Sequence, residues 1–403
     1  MRSRRLLLIG LLGPGVMVML ADTDAGSVIT AAQSGASWGY RLLLVQFLLV
    51  PVLYLVMELV VRLALTTGKG LTELIREHLG TTWAAVAVAT LAVSVVGALV
   101  TEFAGLAGVG ELFGVPRAAT VSIAAALLVL LVVTGGYRRV EVVGIALGSL
   151  ELVFVAAAWL GHPSPGAMAS GLSHPALGSG GYLTLVAANV GAVVMPWMLF
   201  YQPTAVLQKG LTRHELRAAR IDTAVGAVMT QVVMAAVLVA AAASLHGGGP
   251  LRTVGELASA LAPALGPNGG RVVLALGVGG AAIVASIVVS LAASWSVAEA
   301  LGRPRSLDDD VRRARLFYGA YTALVVGGAG LVLASSSLVR LAVNVEVLNA
   351  LLLPMLLGVV LVLARRALPR TLAPRRGRRA ALAAAVGPVV VVALAWVGIA
   401  LGL

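Results

Sequence analysis

A chain of 403 residues that is 60% hydrophobic and 11% charged, with a mean hydropathy of +1.00, cannot cover a water-soluble globule with a polar surface. The net charge of +12, from 29 Lys and Arg against 17 Asp and Glu, sits in short loops between apolar runs, so it is a topology signal and not a nucleic-acid footprint. The absence of cysteine excludes disulfides, thiolate metal sites and cysteine nucleophiles.

Apolar runs of about 20 residues, each able to cross a hydrocarbon core of about 30 Å as a helix, are predicted over 6–33, 41–66, 82–107, 117–134, 141–160, 183–207, 221–244, 271–299, 314–335, 338–363 and 382–402. None shows the short alternation of an outer-membrane barrel strand, so the fold class is an all-α integral membrane protein. The opening MRSRRLLLIGLLGPG has the charged and apolar regions of a signal peptide, but the run continues, and it is read as part of the first span. With the N-terminus inside, 24 of the 29 basic residues fall on the inner side and only Arg41, Arg117, Arg252, Arg271 and Arg340 fall outside. One missed span would scramble that alternation. The expectation is a multi-pass plasma (inner) membrane protein with a cytoplasmic N-terminus and an extracytoplasmic C-terminus. Its inner basic surplus contacts anionic lipid of the bilayer.

Residues 1–403 read as a single membrane domain. The loop GHPSPGAMASGLSHPALGSGG and the segment from His246 to Arg271 are its longest outside connections, and TVGELASALAPALG within the second predicts a short surface helix. In SLDDDVRR, Asp308, Asp309 and Asp310 read as solvated charges before a helix N-terminus.

Two spans are interrupted. ADTDAGS places two acids and a glycine in the first, and VVMPWM places Pro196 in the sixth, where a backbone hydrogen bond is lost. The breaks lie five spans apart, so the two helices cross in opposite directions, as an inverted repeat of five plus five spans produces. Repeat one is expected over about 6–160 and repeat two over about 183–363, with an extra helix at about 382–402.

A charge at the bilayer centre costs at least about 2.5–3.5 kcal/mol, so Asp22 and Asp24 need a counter-charge. No Lys, Arg or His lies near the centre of any predicted span. His78, His162, His174, His214 and His246 all fall in loops. The missing charge is then a metal ion, a proton or a cationic substrate. Capping of a half-helix by Asp22, Thr23 or Asp24 is compatible with that role. Glu102 reads as a second proton or cation station or as a buried hydrogen-bond partner. Glu58 and Glu151 read as pair-forming or near an interface. Asn344, Glu346 and Asn349 form a polar stretch that could line a pathway, and Met195 is either packing or a thioether ligand.

The stretches GPGVMVMLADTDAGSVITAAQSGASWGY, LTTGKGLTELIREHLG, GYRRVE and VGAVVMPWMLFYQPTAVLQKG resemble, in order and spacing, the Nramp divalent-metal transporters. The resemblance runs over nearly the whole chain. It implies a LeuT-like fold working by alternating access, with an ion held between the unwound parts of spans one and six. The family's Asp-Pro-Gly-Asn motif falls on Asp24-Ala25-Gly26-Ser27, so proline and the metal-binding asparagine are replaced. Its Met-Pro-His motif falls on Met195-Pro196-Trp197, its second sixth-span histidine on Gln202, and its span-three acid pair on Glu102 and Gly105. The resemblance makes the carbonyls of Ala21 and Ala192 main-chain ligands, and Asp22 stands where an aromatic or apolar residue is usual.

These departures resemble the Nramp-related magnesium transporters. Ser27 is shorter than asparagine, which leaves room for an ion that keeps part of its water, as Mg²⁺ does when held by one or two carboxylates. Met195 keeps Mn²⁺ or Fe²⁺ open, since a thioether favours softer ions. Potential alone would give a dication about 4.6 kcal/mol at 100 mV, so uncoupled Mg²⁺ uptake is expected. Proton-coupled or uncoupled Mn²⁺/Fe²⁺ transport is the alternative, and a small organic substrate such as an amino acid a third. No nucleophile–base pair or cofactor fingerprint points to an enzyme. The only ion expected is the transported Mg²⁺ or Mn²⁺, and no obligate protein partner is evident.

Overall fold

The computed structural model describes residues 13–245, 251, 254–334 and 338–372, together with 377, 380–384, 386–388 and 390–391. Pro14 opens helix α1 (Pro14–Asp22) in the first turn, where its missing N–H is no loss. The chain breaks at Thr23 and restarts as α2 (Ala25–Trp38), then passes a 3₁₀ turn into α3 (Leu43–Thr67), the second span. The short α4 (Leu71–Leu79) precedes α5 (Thr81–Leu112) and α6 (Arg117–Thr134), spans three and four. Span five is α7 (Tyr137–Gly148), a 3₁₀ turn over Ser149–Leu152, and α8 (Val153–Leu160). Past the loop helix α9 (Pro165–Ser173), span six is again two helices, α10 (Gly180–Val193) and α11 (Pro196–Gln208).

The remaining spans are α12 (Leu216–Leu245), α13 (Val254–Ala300), α14 (Arg315–Leu333) and α15 (Leu338–Arg366). α13 is interrupted at Gly266, whose φ of 74° and ψ of 165° separate a short leading helix from span eight, as the surface-helix expectation requires. Among the described residues nine helical stretches are long and apolar enough to cross a membrane, the first joining α2 to α3, and no strand occurs. With α1 as the first half of span one, ten predicted spans are in place. The eleventh, 382–402, lies largely outside the described residues, as does the segment 6–12 of the first.

The burial pattern is inverted relative to a water-soluble protein. Large apolar side chains such as Phe47, Leu48, Ile123, Leu127 and Trp159 are exposed, Trp159 by 81%, whereas Asp22, Asp24, Glu102, Glu151 and Glu346 are each at most 1% exposed. The first span runs through the middle. α1 packs on α7, α11, α12 and α13, and α2 packs on α5, α10, α12 and α15. Small residues permit that crowding. A Cβ added at Gly105 would collide with the Ala25 methyl, and one at Gly191 would overlap the Glu346 carbonyl oxygen.

Ion pairs gather at one end of the bundle. Glu58 accepts from both Arg62 and Arg220, which bears out its reading as a pair-forming acid, while Lys209 meets Glu141 at 3.0 Å. Asp222 of α12 closes the start of span one, accepting from the backbone N–H groups of Gly13 (3.1 Å), Gly15 (2.7 Å) and Val16 (3.1 Å). These are the orphan donors that every helix N-terminus leaves.

Candidate metal site

Each break has a local cause. Asp24 is extended (φ −66°, ψ 174°) and caps α2, its Oδ1 accepting from Ser27 N–H at 2.7 Å. In span six, the ring of Pro196 excludes Met195 from the helical region, so Met195 is extended (φ −86°, ψ 143°) and α11 starts at the proline. The two breaks face each other, because the Ser27 hydroxyl donates to the Ala192 carbonyl at 3.1 Å. α1 and α10 both end here, so each presents its last carbonyls, Ala21 and Ala192 among them, and the negative end of its dipole.

Around this gap stand five carboxyl groups. Asp22 accepts from the Thr230 hydroxyl at 3.5 Å, and Glu102 accepts from Ala25 N–H at 3.1 Å. Glu151 accepts from the Thr23 hydroxyl, and Glu346 accepts from Asn349 Nδ2 at 3.1 Å while Asn349 in turn accepts from Ser94 at 2.7 Å. Asp24 lies within electrostatic reach of the other four. One oxygen on each of Asp22, Asp24, Glu151 and Glu346 is buried without a hydrogen-bond partner. The ion pairs among the described residues all involve other acids. Burying carboxylates without a partner is costly, and a cation between the breaks would remove that cost.

The remaining donors favour oxygen over sulfur. The Trp197 indole N–H donates to Met195 Sδ at 2.9 Å, so the sulfur is already engaged within its own helix. Gln202 donates to Thr223 at 2.9 Å and keeps its Oε1 unpartnered about two turns beyond Met195 along α11. Among the described residues no group of three or more His, Asp or Glu side chains is arranged to hold a metal by itself. An ion here would therefore use main-chain carbonyls and its own water beside one or two carboxylates.

The structure thus brings Asp22, Asp24, Ser27, Ala21, Ala192, Met195 and Glu102 to the two breaks, with Trp197 packed behind Met195. Asn344 is placed differently: it is exposed, and the inward members of its polar stretch are Glu346 and Asn349. Helical spacing explains the difference, since 346 and 349 share one face and 344 lies on another. Glu151 is neither interfacial nor paired with a cation; the 3₁₀ turn in span five carries it to Thr23, between the two aspartates. Its position in the middle of a predicted span was the available signal. Thr230 was not singled out, because a lone threonine in an apolar helix carries no pattern.

Residues 15–399 match the sequence profile of the family described as Nramp, natural resistance-associated macrophage protein-like. The chain is 30% identical over 315 residues to the divalent metal cation transporter MntH of Pectobacterium carotovorum, covering 72% of each chain. It is 31% identical over 273 residues to the MntH of Verminephrobacter eiseniae, a match that spans 60% of that relative's length. In solved structures, the Eremococcus coleocola manganese transporter bound to an aromatic bis-isothiourea compound superposes with a TM-score of 0.74 at 20% identity, over 98% of this chain and 86% of that one. The nucleobase-cation-symport transporter Mhp1 in a closed conformation superposes at 0.61 and 14% identity, over 89% and 80%. The fold is therefore the LeuT-like inverted repeat that the two opposed breaks implied, and the chain belongs to the Nramp family.

Proposed function

We propose that this chain carries divalent metal cations across the membrane by alternating access, with Mg²⁺, still partly hydrated, as the preferred substrate. The observation that carries the reading is the pair of buried, unpartnered oxygens, Asp22 Oδ1 and Asp24 Oδ2, beside the gap between two broken helices. Asp24 is the direct ligand, Asp22 adds charge, and the carbonyls of Ala21 and Ala192 complete an all-oxygen set suited to a hard ion. Ser27 Oγ, donating to the Ala192 carbonyl, links the two breaks across the gap. The relatives' names, a divalent metal cation transporter and a manganese transporter, support the substrate class and favour Mn²⁺ as the second reading. The engagement of Met195 by Trp197 speaks for Mg²⁺.

Transport runs down the membrane potential without a proton. A dication gains about 4.6 kcal/mol at 100 mV, enough for more than a thousandfold accumulation. The protein sits in the plasma membrane with its N-terminus in the cytoplasm. Liposomes loaded with an ion dye and a pH dye test the scheme. Mg²⁺ influx without acidification is expected, and Asp24→Ala is expected to lower it by at least tenfold. Undiminished flux in that variant rejects the site, acidification rejects the uncoupled mechanism, and Mn²⁺ influx that excludes Mg²⁺ selects the second reading.

A further inference from the structure

Spans four and nine leave an apolar cleft of about 680 Å³ between α6 and α14, lined on one wall by Ala126, Val129 and Leu130 and on the other by Val326, Gly330 and Leu333. A second cleft of about 570 Å³ shares Val133, Thr322 and Val326 with the first and ends at Arg315. The two form one groove along α14, roughly 27 Å from Leu333 to Arg315 by helical rise. Its floor is low because Gly319 and Gly330 have open space where a Cβ would stand.

The far end of the groove is basic. Arg315, Arg312 and Arg313 are exposed beside it, and so are Arg138 and Arg139. Asp308 accepts from Tyr137 N–H at 3.2 Å, so the loop before α14 lies against the start of α7 and brings the two arginine groups together. Asp308, Asp309 and Asp310 share this loop and offset part of the charge, Asp309 pairing with Arg313 at 3.6 Å and accepting from Ser306 N–H at 3.3 Å, and Asp310 accepting from Arg312 N–H at 3.4 Å; five arginines against three aspartates leave the cluster net positive. The result is an acyl-sized trough ending at arginines suited to bidentate phosphate contacts.

We infer that this groove is a specific site for an anionic glycerophospholipid, one acyl chain lying between α6 and α14 and the phosphate held at Arg315. Charge argues against a second copy of the chain as the occupant. Two protomers related by a two-fold axis along the membrane normal would place both five-arginine clusters at the same depth and close together. A zwitterionic lipid would fill the trough but leave the arginines without a net negative partner. The site is separate from the two breaks and does not depend on which ion is carried.

Native mass spectrometry of the full chain released from micelles, titrated with phosphatidylglycerol or phosphatidylcholine of the same acyl chains, tests the assignment. One phosphatidylglycerol per chain is expected, with an apparent Kd at least tenfold below that for phosphatidylcholine. Arg315→Ala is expected to erase the headgroup preference. Gly330→Phe, whose ring enters open space, is expected to reduce retention of either lipid while leaving the unfolding temperature within a few degrees. Equal retention of the two lipids, an unchanged preference in Arg315→Ala, or chains pairing without lipid would each overturn the proposal.

Discussion

At the level of single residues, the chemistry of the site turns on what stands next to Met195. With an indole N–H at 2.9 Å, the sulfur spends a lone pair inside its own helix. Trp197→His would release it and add an imidazole, converting an oxygen-dominated site into one with two softer donors. The expected outcome is a shift of the Mn²⁺-to-Mg²⁺ flux ratio toward Mn²⁺ of about tenfold, which corresponds to ~1.4 kcal/mol of differential binding. Competition between the two ions in proteoliposomes measures it; an unchanged ratio would show that the sulfur plays no part. Asp22 and Asp24 were legible in the sequence because an uncompensated acid in lipid demands an explanation. Glu151 and Glu346 were visible as intramembrane acids, but only the kink in span five and the rotation of α15 decide that both point at the same gap as the aspartates.

Helices and their ends set the shape of the candidate site. The breaks in spans one and six were readable from Asp-Thr-Asp and Met-Pro, since each motif has a local backbone consequence that tertiary packing does not reverse. The break in span five was not, because LGSLEL has no proline and its 3₁₀ turn arises from close packing: Gly144 lies against Met17 and Gly148 against Leu20. The contact that shuts the start of α1 was equally hidden, as Asp222 is 207 residues from the Gly15 amide it accepts from. Asp222→Asn removes a charged acceptor shared by three N–H groups, a loss of about 1–3 kcal/mol. The start of α1 should then leave its seat more often. On the natural cysteine-free background, Val16→Cys labelling by a maleimide should speed up by roughly tenfold when Asp222→Asn is added. Equal rates in both chains would assign the closure to other contacts.

For the molecule as a whole, arginine placement carries the proposed orientation as well as the proposed lipid contact. The 24-to-5 split of basic residues predicts that Ser170 in α9 faces outward and Arg312 faces the cytoplasm. Single cysteines at these two exposed positions should show opposite reactivity to an impermeant maleimide on intact cells, Ser170→Cys reacting and Arg312→Cys remaining silent. The reverse pattern would place the N-terminus outside and overturn the orientation read from the basic residues. Spans and topology follow from hydropathy and charge because the bilayer imposes both directly. How the spans nest is governed by small-residue contacts with no signature beyond glycine itself.

One of those contacts limits how the protein can move. At Gly191, α10 lies so close to the Glu346 carbonyl that not even a methyl group fits between them. In the proposed cycle those two helices are expected to swing as one leaf, carrying the Ala192 carbonyl and the Glu346 carboxyl together. The proposed alternating-access cycle would then hinge between that leaf and α1, so an ion leaving the gap would part from one jaw while the other still gripped it.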